Sequence, residues 1–402
     1  MGKNLRKLVS IGIISAMMAA GLAGCGSNTA ESGKEPAAGN ENVSASESAG
    51  AALEEAGSSN EGAETAGGSA GAAKDGLSFA GDIVGQGGVA LDIFVSEMEY
   101  DFEGLGSDFQ IYNDNFTADT QMQNMETMAS KGYDGIMVYG WNATSLNSIS
   151  STFATAQIPF VIFDQIPRDE ESVAAMEQNE YYVGSVGTDS YAEGVNAAQA
   201  MLDNGITKAL ILGGSVGDTI HDTRIEGFTK TFEEAGGKVL GAGRCTDPSE
   251  ATTKFDDLLS ANGDATGAYC LSGDYAIAAI SAMGNHPEAD VKLYVAGATN
   301  ETIPYIKDGT IAYADSGSKL VIPIAAALLK NAAIGNVIKD EDGSAPYFNN
   351  VIPFEVTADN ADRFTELFLT GHPLTAEEMQ ALVGENVTYQ DFVEFINNYS
   401  MK

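Results

Sequence analysis

A chain of 402 residues with a net charge of −37 has room for two ordinary domains with sizeable cores. Five basic and nine acidic residues up to Asp75 account for −4, leaving −33 beyond it. That balance excludes nucleic acid or an anionic surface bound through a basic patch.

The chain opens on Lys3, Arg6 and Lys7, an apolar segment from Leu8 to Ala20, and Leu22-Ala23-Gly24-Cys25. This is the layout of a secretory signal with a small-residue cleavage site, too short for a comfortable transmembrane helix. It resembles the bacterial lipobox, in which cleavage precedes the cysteine and the thiol carries a diacylglyceryl group. Residues 1–24 are then the signal peptide and Cys25 the lipid attachment. Residues 26–75 are almost wholly Gly, Ala, Ser, Asn, Glu and Thr, which bury too little to fold. As a flexible coil they span about 40 Å, so 25–75 is expected to be a disordered tether to the outer face of a membrane.

Beyond Gly76 a short apolar start, Leu77 to Ile83, leads into Gly85-Gln86-Gly87-Gly88 and a helix from Val89 to about Glu103. The glycines match neither GxxxxGK[ST] nor GxGxxG in frame, so this turn, with Gln86, is expected beside a small ligand. Phe109 to Tyr112 reads as a strand, and Ala118 to Lys131 as a helix whose Met122, Met125 and Met128 face a core. The strand Gly135 to Tyr139 ends at Gly140-Trp141-Asn142, and a helix follows over Thr144 to Ala156. Then Phe160 to Phe163 forms an uninterrupted apolar run that ends on Asp164 and Gln165. A run without in/out alternation suits a parallel strand covered on both faces.

Tyr182 to Val186 is a further strand, after which a second series begins. Ser190-x-x-Glu193 is a capping box opening a helix to about Asn204. Lys208 to Leu212 is a strand, Gly213 to Asp218 a loop, and His221 to Ala235 a helix stopped by Gly236-Gly237. Strands at 238–243, 268–271 and 291–296 alternate with helices near 249–261, 274–283 and 300–308. Thr310 to Ala314 runs into Asp315-Ser316-Gly317, an apolar helix spans Leu320 to Ile334, and Val351 to Phe354 reads as a returning strand. Phe364, Leu367, Phe368 and Phe392 mark helices expected to pack on the second lobe.

Repeated strand–helix units with buried strands imply parallel sheets and right-handed crossovers. The fold class is α/β: two doubly wound parallel-sheet lobes joined by a multi-strand hinge near 187, 316 and 351, with a ligand cleft between them. The expected N-terminal lobe is 76–186 plus 317–350, and the C-terminal lobe 187–316 plus 351–402. In this topology a strand separates Cys245 from Cys270 by at least about 9 Å. Two unpaired, buried thiols are therefore expected. The three histidines are scattered and no metal-ligand spacing occurs, so neither metal nor cofactor is expected.

Polar residues gather at strand carboxyl ends: Trp141-Asn142, Asp164-Gln165, Asp274, Thr299-Asn300 and Asp315-Ser316, with Arg224 near the start of a helix. Each alone reads equally as a cap or a solvated turn, and Trp141 equally as core filler. Together they point to the crevice outside the strand ends, where carboxylates, amides and an arginine supply donors and acceptors for a hydroxyl-rich neutral ligand, and Trp141 a face for stacking.

The order of lipobox, tether, strand-x-Asp164-Gln165, Arg224-x-x-Gly227-Phe228, and Ser272-Gly273-Asp274 with Ala276 to Ala279 resembles the type-1 periplasmic binding proteins. These are the ribose- and galactose-type solute receptors of ABC importers, and the resemblance covers about Gly76 to Phe354. It implies that Asp164 and Arg224 bind sugar hydroxyls and that Asp274 belongs to a loop lining the cleft. The sequence departs from that pattern at Gln165, at Gly273 and at Gly297-Ala298-Thr299-Asn300, where an expected carboxylate is missing.

The implied function is a monomeric, lipid-anchored extracytoplasmic receptor that closes around a small-molecule ligand, a sugar first among them, and hands it to an ABC permease. A sensor of the same fold, binding an autoinducer or nucleoside and feeding a membrane kinase, is the alternative; neighbouring permease or kinase genes discriminate the two. An enzyme is disfavoured because no nucleophile–base pair or cofactor fingerprint stands out.

Overall fold

The computed structural model describes residues 75–401 apart from 87–88, 246–247, 317 and 352–353. The signal segment, Cys25 and the tether up to residue 74 lie outside the described residues. Among the described residues no helix is long and apolar enough to cross a membrane.

The first series comprises β1 (Ser78–Ile83), α1 (Val89–Gly104), β2 (Asp108–Asn113), α2 (Ala118–Lys131), β3 (Gly135–Tyr139), α3 (Leu146–Ala156), β4 (Phe160–Phe163), α4 (Glu170–Glu177) and β5 (Tyr182–Thr188). The second comprises α5 (Ser190–Asp203), β6 (Lys208–Leu212), α6 (Thr219–Glu234), β7 (Lys238–Gly243), α7 (Ala251–Ala261), β8 (Gly267–Cys270), α8 (Gly273–Met283), β9 (Lys292–Ala296), α9 (Ile303–Lys307) and β10 (Ile311–Ser316). The chain then runs through α10 (Val321–Ala333), β11 (Tyr347–Val351), β12 (Phe354–Glu355), α11 (Ala361–Phe364), α12 (Ala376–Gln380) and α13 (Tyr389–Asn398).

These strands form two six-stranded sheets, ordered β11-β5-β4-β3-β1-β2 and β12-β10-β9-β8-β6-β7. Every pairing is parallel except β10 with β12. Every residue of β3, β4 and β8 is buried, as continuous apolar runs between two helical layers must be. Met125 and Met128 of α2 are fully buried against this core.

The chain passes between sheets after β5, after β10, and between β11 and β12. The single returning strand expected over 351–354 is thus two strands, one in each sheet. Cys245 and Cys270 are unpaired and buried, with β6 lying between β7 and β8.

Two local expectations differ from the structure. Asp189, not Ser190, caps α5 by accepting from the Ala192 amide at 2.9 Å; Glu193 is thereby released for another partner. The C-terminal helices also do not all settle on the second lobe. α11 lies against α9, whereas α12 lies against α1 and α10. α10 is almost wholly buried, Lys330 and Asn331 included, so it needs cover on every face and partners for those two side chains, which Asp75 and Ser107 give to Lys330 and Leu382 O and the Gly384 amide give to Asn331. It sits on β3, β4 and β5 with α1 beside it, and α12 packs against it as well.

Candidate functional site

The carboxyl ends of β3 and β4 carry the first group of polar side chains. Asp164 follows β4 with φ 61°, a left-handed conformation that Asp and Asn tolerate best among side-chain-bearing residues. Its amide donates to Val186 O at 2.9 Å, which fixes the turn against β5. The side chain is buried, and burial raises its carboxyl to about 6; a hydrogen bond from Tyr139 and the Arg224 charge pull the other way, while Glu193 pushes it up. Asp164 and Arg224, from opposite sheets, therefore lie within electrostatic reach of each other.

Gln165 donates to the Tyr139 hydroxyl at 3.4 Å. Trp141 donates from Nε1 to Asp114 Oδ2 at 2.8 Å. Asp82 behind it receives the Tyr139 amide and Gln121, and burial together with Asp114 pushes its carboxyl well above the ordinary range. Trp141 and Gln165 meet Ile220 of the opposite lobe around a gap of only about 30 Å³, so the lobes touch here. Arg168 fastens the same loop to the first crossing, donating to Thr188 O at 3.0 Å and Ser190 Oγ at 3.3 Å.

Arg224 is built by a close helix contact. A methyl at Gly194 would strike the Arg224 carbonyl, and one at Gly227 the Tyr191 carbonyl. Both glycines let α5 and α6 approach backbone to backbone. That approach brings Arg224 Nε within 2.5 Å of Glu193 Oε2, with the Glu193 side chain 3% exposed. Nη1 donates to Leu271 O at 3.1 Å. Burial alone would lower the guanidinium's pKa, but Glu193 overrides it and holds the charge firmly. Asp315 lies behind this pair; burial, then the Glu193 carboxylate, push its carboxyl well up. It accepts from the Tyr313 hydroxyl at 3.1 Å.

A cavity of about 210 Å³ opens where the two lobes and the C-terminal segment meet. Arg224, Asp274, Thr299 and Ser316 line one side; Phe94 of α1 and Phe368 line another. Asp274 stands in the first turn of α8, which Ser272 caps by accepting the Tyr275 amide. Partial burial, then Glu301, raise its carboxyl. The Thr299 Oγ1 is buried and finds no hydrogen-bond partner among the described residues.

Of the residues singled out from sequence, Arg224 and Asp274 share this cavity, while Trp141 and Gln165 line the small gap. Asp164 is buried between the lobes, and Asp315 lies behind Arg224. Asn142 turns inward on its own turn, bonding Ser145 and Thr144. Gln86 is exposed and accepts from Asn113 at 3.4 Å. Asn300 is exposed one residue beyond Thr299. Thr299 and Ser316, also singled out at strand ends, share the cavity as well; the ligand-side role of Phe94 and Phe368 is not legible from sequence, nor is that of Glu193, which holds Arg224 from behind and whose local spacing matches a cap.

The sequence profile of the periplasmic binding protein domain matches residues 92–336. No curated protein matches the chain in sequence. A periplasmic solute-binding protein of an ABC transporter from Actinobacillus succinogenes, with bound D-allose, is similar in structure: TM-score 0.64, 18% identity, 71% of this chain and 99% of that one covered. A solute-binding protein from Bacillus halodurans with bound myo-inositol gives TM-score 0.62 at 20% identity, covering 72% and 98%. An arabinose-binding protein from Geobacillus stearothermophilus gives TM-score 0.60 at 19% identity, covering 72% and 99%. At these identities the likeness is one of fold.

Proposed function

This chain belongs to the periplasmic binding protein family, and we propose that it is a lipid-anchored extracytoplasmic receptor that delivers a small solute of the monosaccharide class to an ABC importer. The family binds solutes rather than transforming them. The observation that carries the reading is the interlobe cavity of about 210 Å³, which sets the held guanidinium of Arg224, the Asp274 carboxylate and Thr299 around one small space. That volume lies below the roughly 300–1,000 Å³ typical of drug-sized ligands and suits a single ring. Hydrogen-bonding groups of both kinds, with an aromatic ring opposite, match a neutral polyol. D-allose, myo-inositol and arabinose in proteins of similar fold are consistent with that class.

The test is a thermal-shift screen of the folded protein against pentoses, hexoses, polyols and nucleosides. A ligand at 100 times its Kd stabilises the native state by about 2.7 kcal/mol. An upshift confined to nucleosides, or none at all, refutes the monosaccharide reading. Anchoring is tested separately: Cys25→Ser should move the exported protein from the detergent phase to the aqueous phase.

A further inference from the structure

The 210 Å³ cavity has two chemically distinct sides. Its polar side comes from strand ends of the second lobe, with Thr299 Oγ1 buried and unpartnered. Its other side is apolar, and much of it is supplied by residues beyond 336, where the family match ends: Phe364, Phe368 and Leu369 join Phe94 of α1 there. Lys319 also lines the space, but its ammonium is engaged by Glu97 at 2.9 Å and by the Gly371 carbonyl.

The local winding explains how the C-terminal segment presents this face. Residues Thr365–Leu369 form a π-helical turn directly after α11, with the Thr370 amide donating to Thr365 O at 2.9 Å. Such turns are rare and concentrate at functional sites. Phe364 and Phe368, four apart, stack with centroids 5.1 Å apart and planes 3° from parallel. The i→i+5 winding carries Leu369 round to the same cavity. In an unbroken α-helix Leu369 would be displaced by roughly one residue of rotation, about 100°. The segment is fixed at both ends: α11 lies on α9 of the second lobe, while His372 bonds Glu97 of α1 at 2.8 Å and stacks on Tyr100.

We propose that this C-terminal wall is a specificity element: the cavity selects a small polyhydroxylated solute with one apolar edge, of the 6-deoxyhexose type, and Phe368 and Leu369 read that edge. The inference rests on the monosaccharide reading and deepens it. The solute's hydroxyls face Arg224, Asp274 and Thr299, and its methyl group faces the aromatic side. A hydroxymethyl in that position would bring a hydroxyl against Phe368 and Leu369, where nothing replaces its lost water. Discrimination by such a wall is worth about 10- to 100-fold.

Calorimetry on the intact folded protein tests this with four matched pairs: D-fucose and D-galactose, L-fucose and L-galactose, L-rhamnose and L-mannose, D-quinovose and D-glucose. In the pair that binds tightest, the deoxy member should bind about 10- to 100-fold tighter. Leu369→Asn, at a partly exposed position that tolerates an amide, should reduce that preference to about threefold or less; Phe368→Ala is a second variant, checked for folding by circular dichroism. A hydroxylated member that binds as tightly as its deoxy partner overturns the inference and leaves the sugar receptor standing. A preference unchanged in folded Leu369→Asn removes Leu369 from it and overturns the wall. If no member of any pair binds, the inference falls; if the wider screen also finds no sugar, the monosaccharide reading falls with it.

Discussion

Asp164→Asn should make the unliganded protein more stable at pH 8. The carboxyl is raised from an ordinary 3.8 to about 6, chiefly by burial. That net shift of about 2 units already includes the favourable pull of Tyr139 and Arg224. At 1.36 kcal/mol per unit, ionised Asp164 costs the fold about 3 kcal/mol, to order of magnitude. The sign follows from the raised folded-state pKa: protonation favours the native state, so this stability is complete below about pH 4 and lost as pH rises through about 6. Asn is a neutral near-isostere that accepts the same hydrogen bond and tolerates φ 61°. In urea unfolding the variant should therefore exceed wild type by up to about 3 kcal/mol at pH 8, by less at pH 6, and match it near pH 4. A difference in stability that does not change with pH, or a variant less stable than wild type at pH 8, would refute this account of Asp164.

Glu193→Ala leaves Arg224 charged and buried without its partner, and removing one member of such a pair costs about 3–5 kcal/mol. The same logic makes Arg224→Ala costly to stability, so loss of binding in that variant must be read beside its urea midpoint; a Glu193→Ala protein as stable as wild type would show the pair to be idle. Gly227→Ala pushes a methyl into the Tyr191 carbonyl, which should cost about 1–3 kcal/mol by overpacking and weaken sugar binding by loosening the Glu193–Arg224 contact. Unchanged stability and affinity would show that α5 and α6 part without consequence.

What the sequence reveals and what it hides follow from the range of the signals. The buried run Phe160 to Phe163 is legible because an unbroken apolar strand in a repeating strand–helix chain has few other homes, and Asp164 follows from its place at that strand's end. The acidic pair Asp82 and Asp114, which holds Trp141, is invisible, since each reads singly as an end-of-strand cap. The role of Glu193 is hidden for a related reason. Its three-residue spacing from Ser190 is a genuine local pattern, yet Asp189 one residue earlier accepts the Ala192 amide first. The carboxylate then turns to Arg224, 31 residues away.

The C-terminal segment shows the same limit from the other direction. Aromatic spacing over Phe364 to Phe368 correctly implies a helix, but nothing in it distinguishes i→i+4 from i→i+5 winding. That single step decides which way Leu369 faces. α12 lies on α1 and α10 rather than on the second lobe because α10 is buried on every face and draws a partner from the C-terminal segment. Much of α10's cover comes from β3, β4, β5 and α1, earlier in the chain, and α12 adds to it. The same segment also passes the cavity on its way from α9 to α1. Covering α10 and walling the cavity are thus coupled: if the cavity holds the solute, a substitution that loosens α12 from α10 should alter sugar preference in calorimetry, at a site it never touches, and an unchanged preference would show the two to be independent.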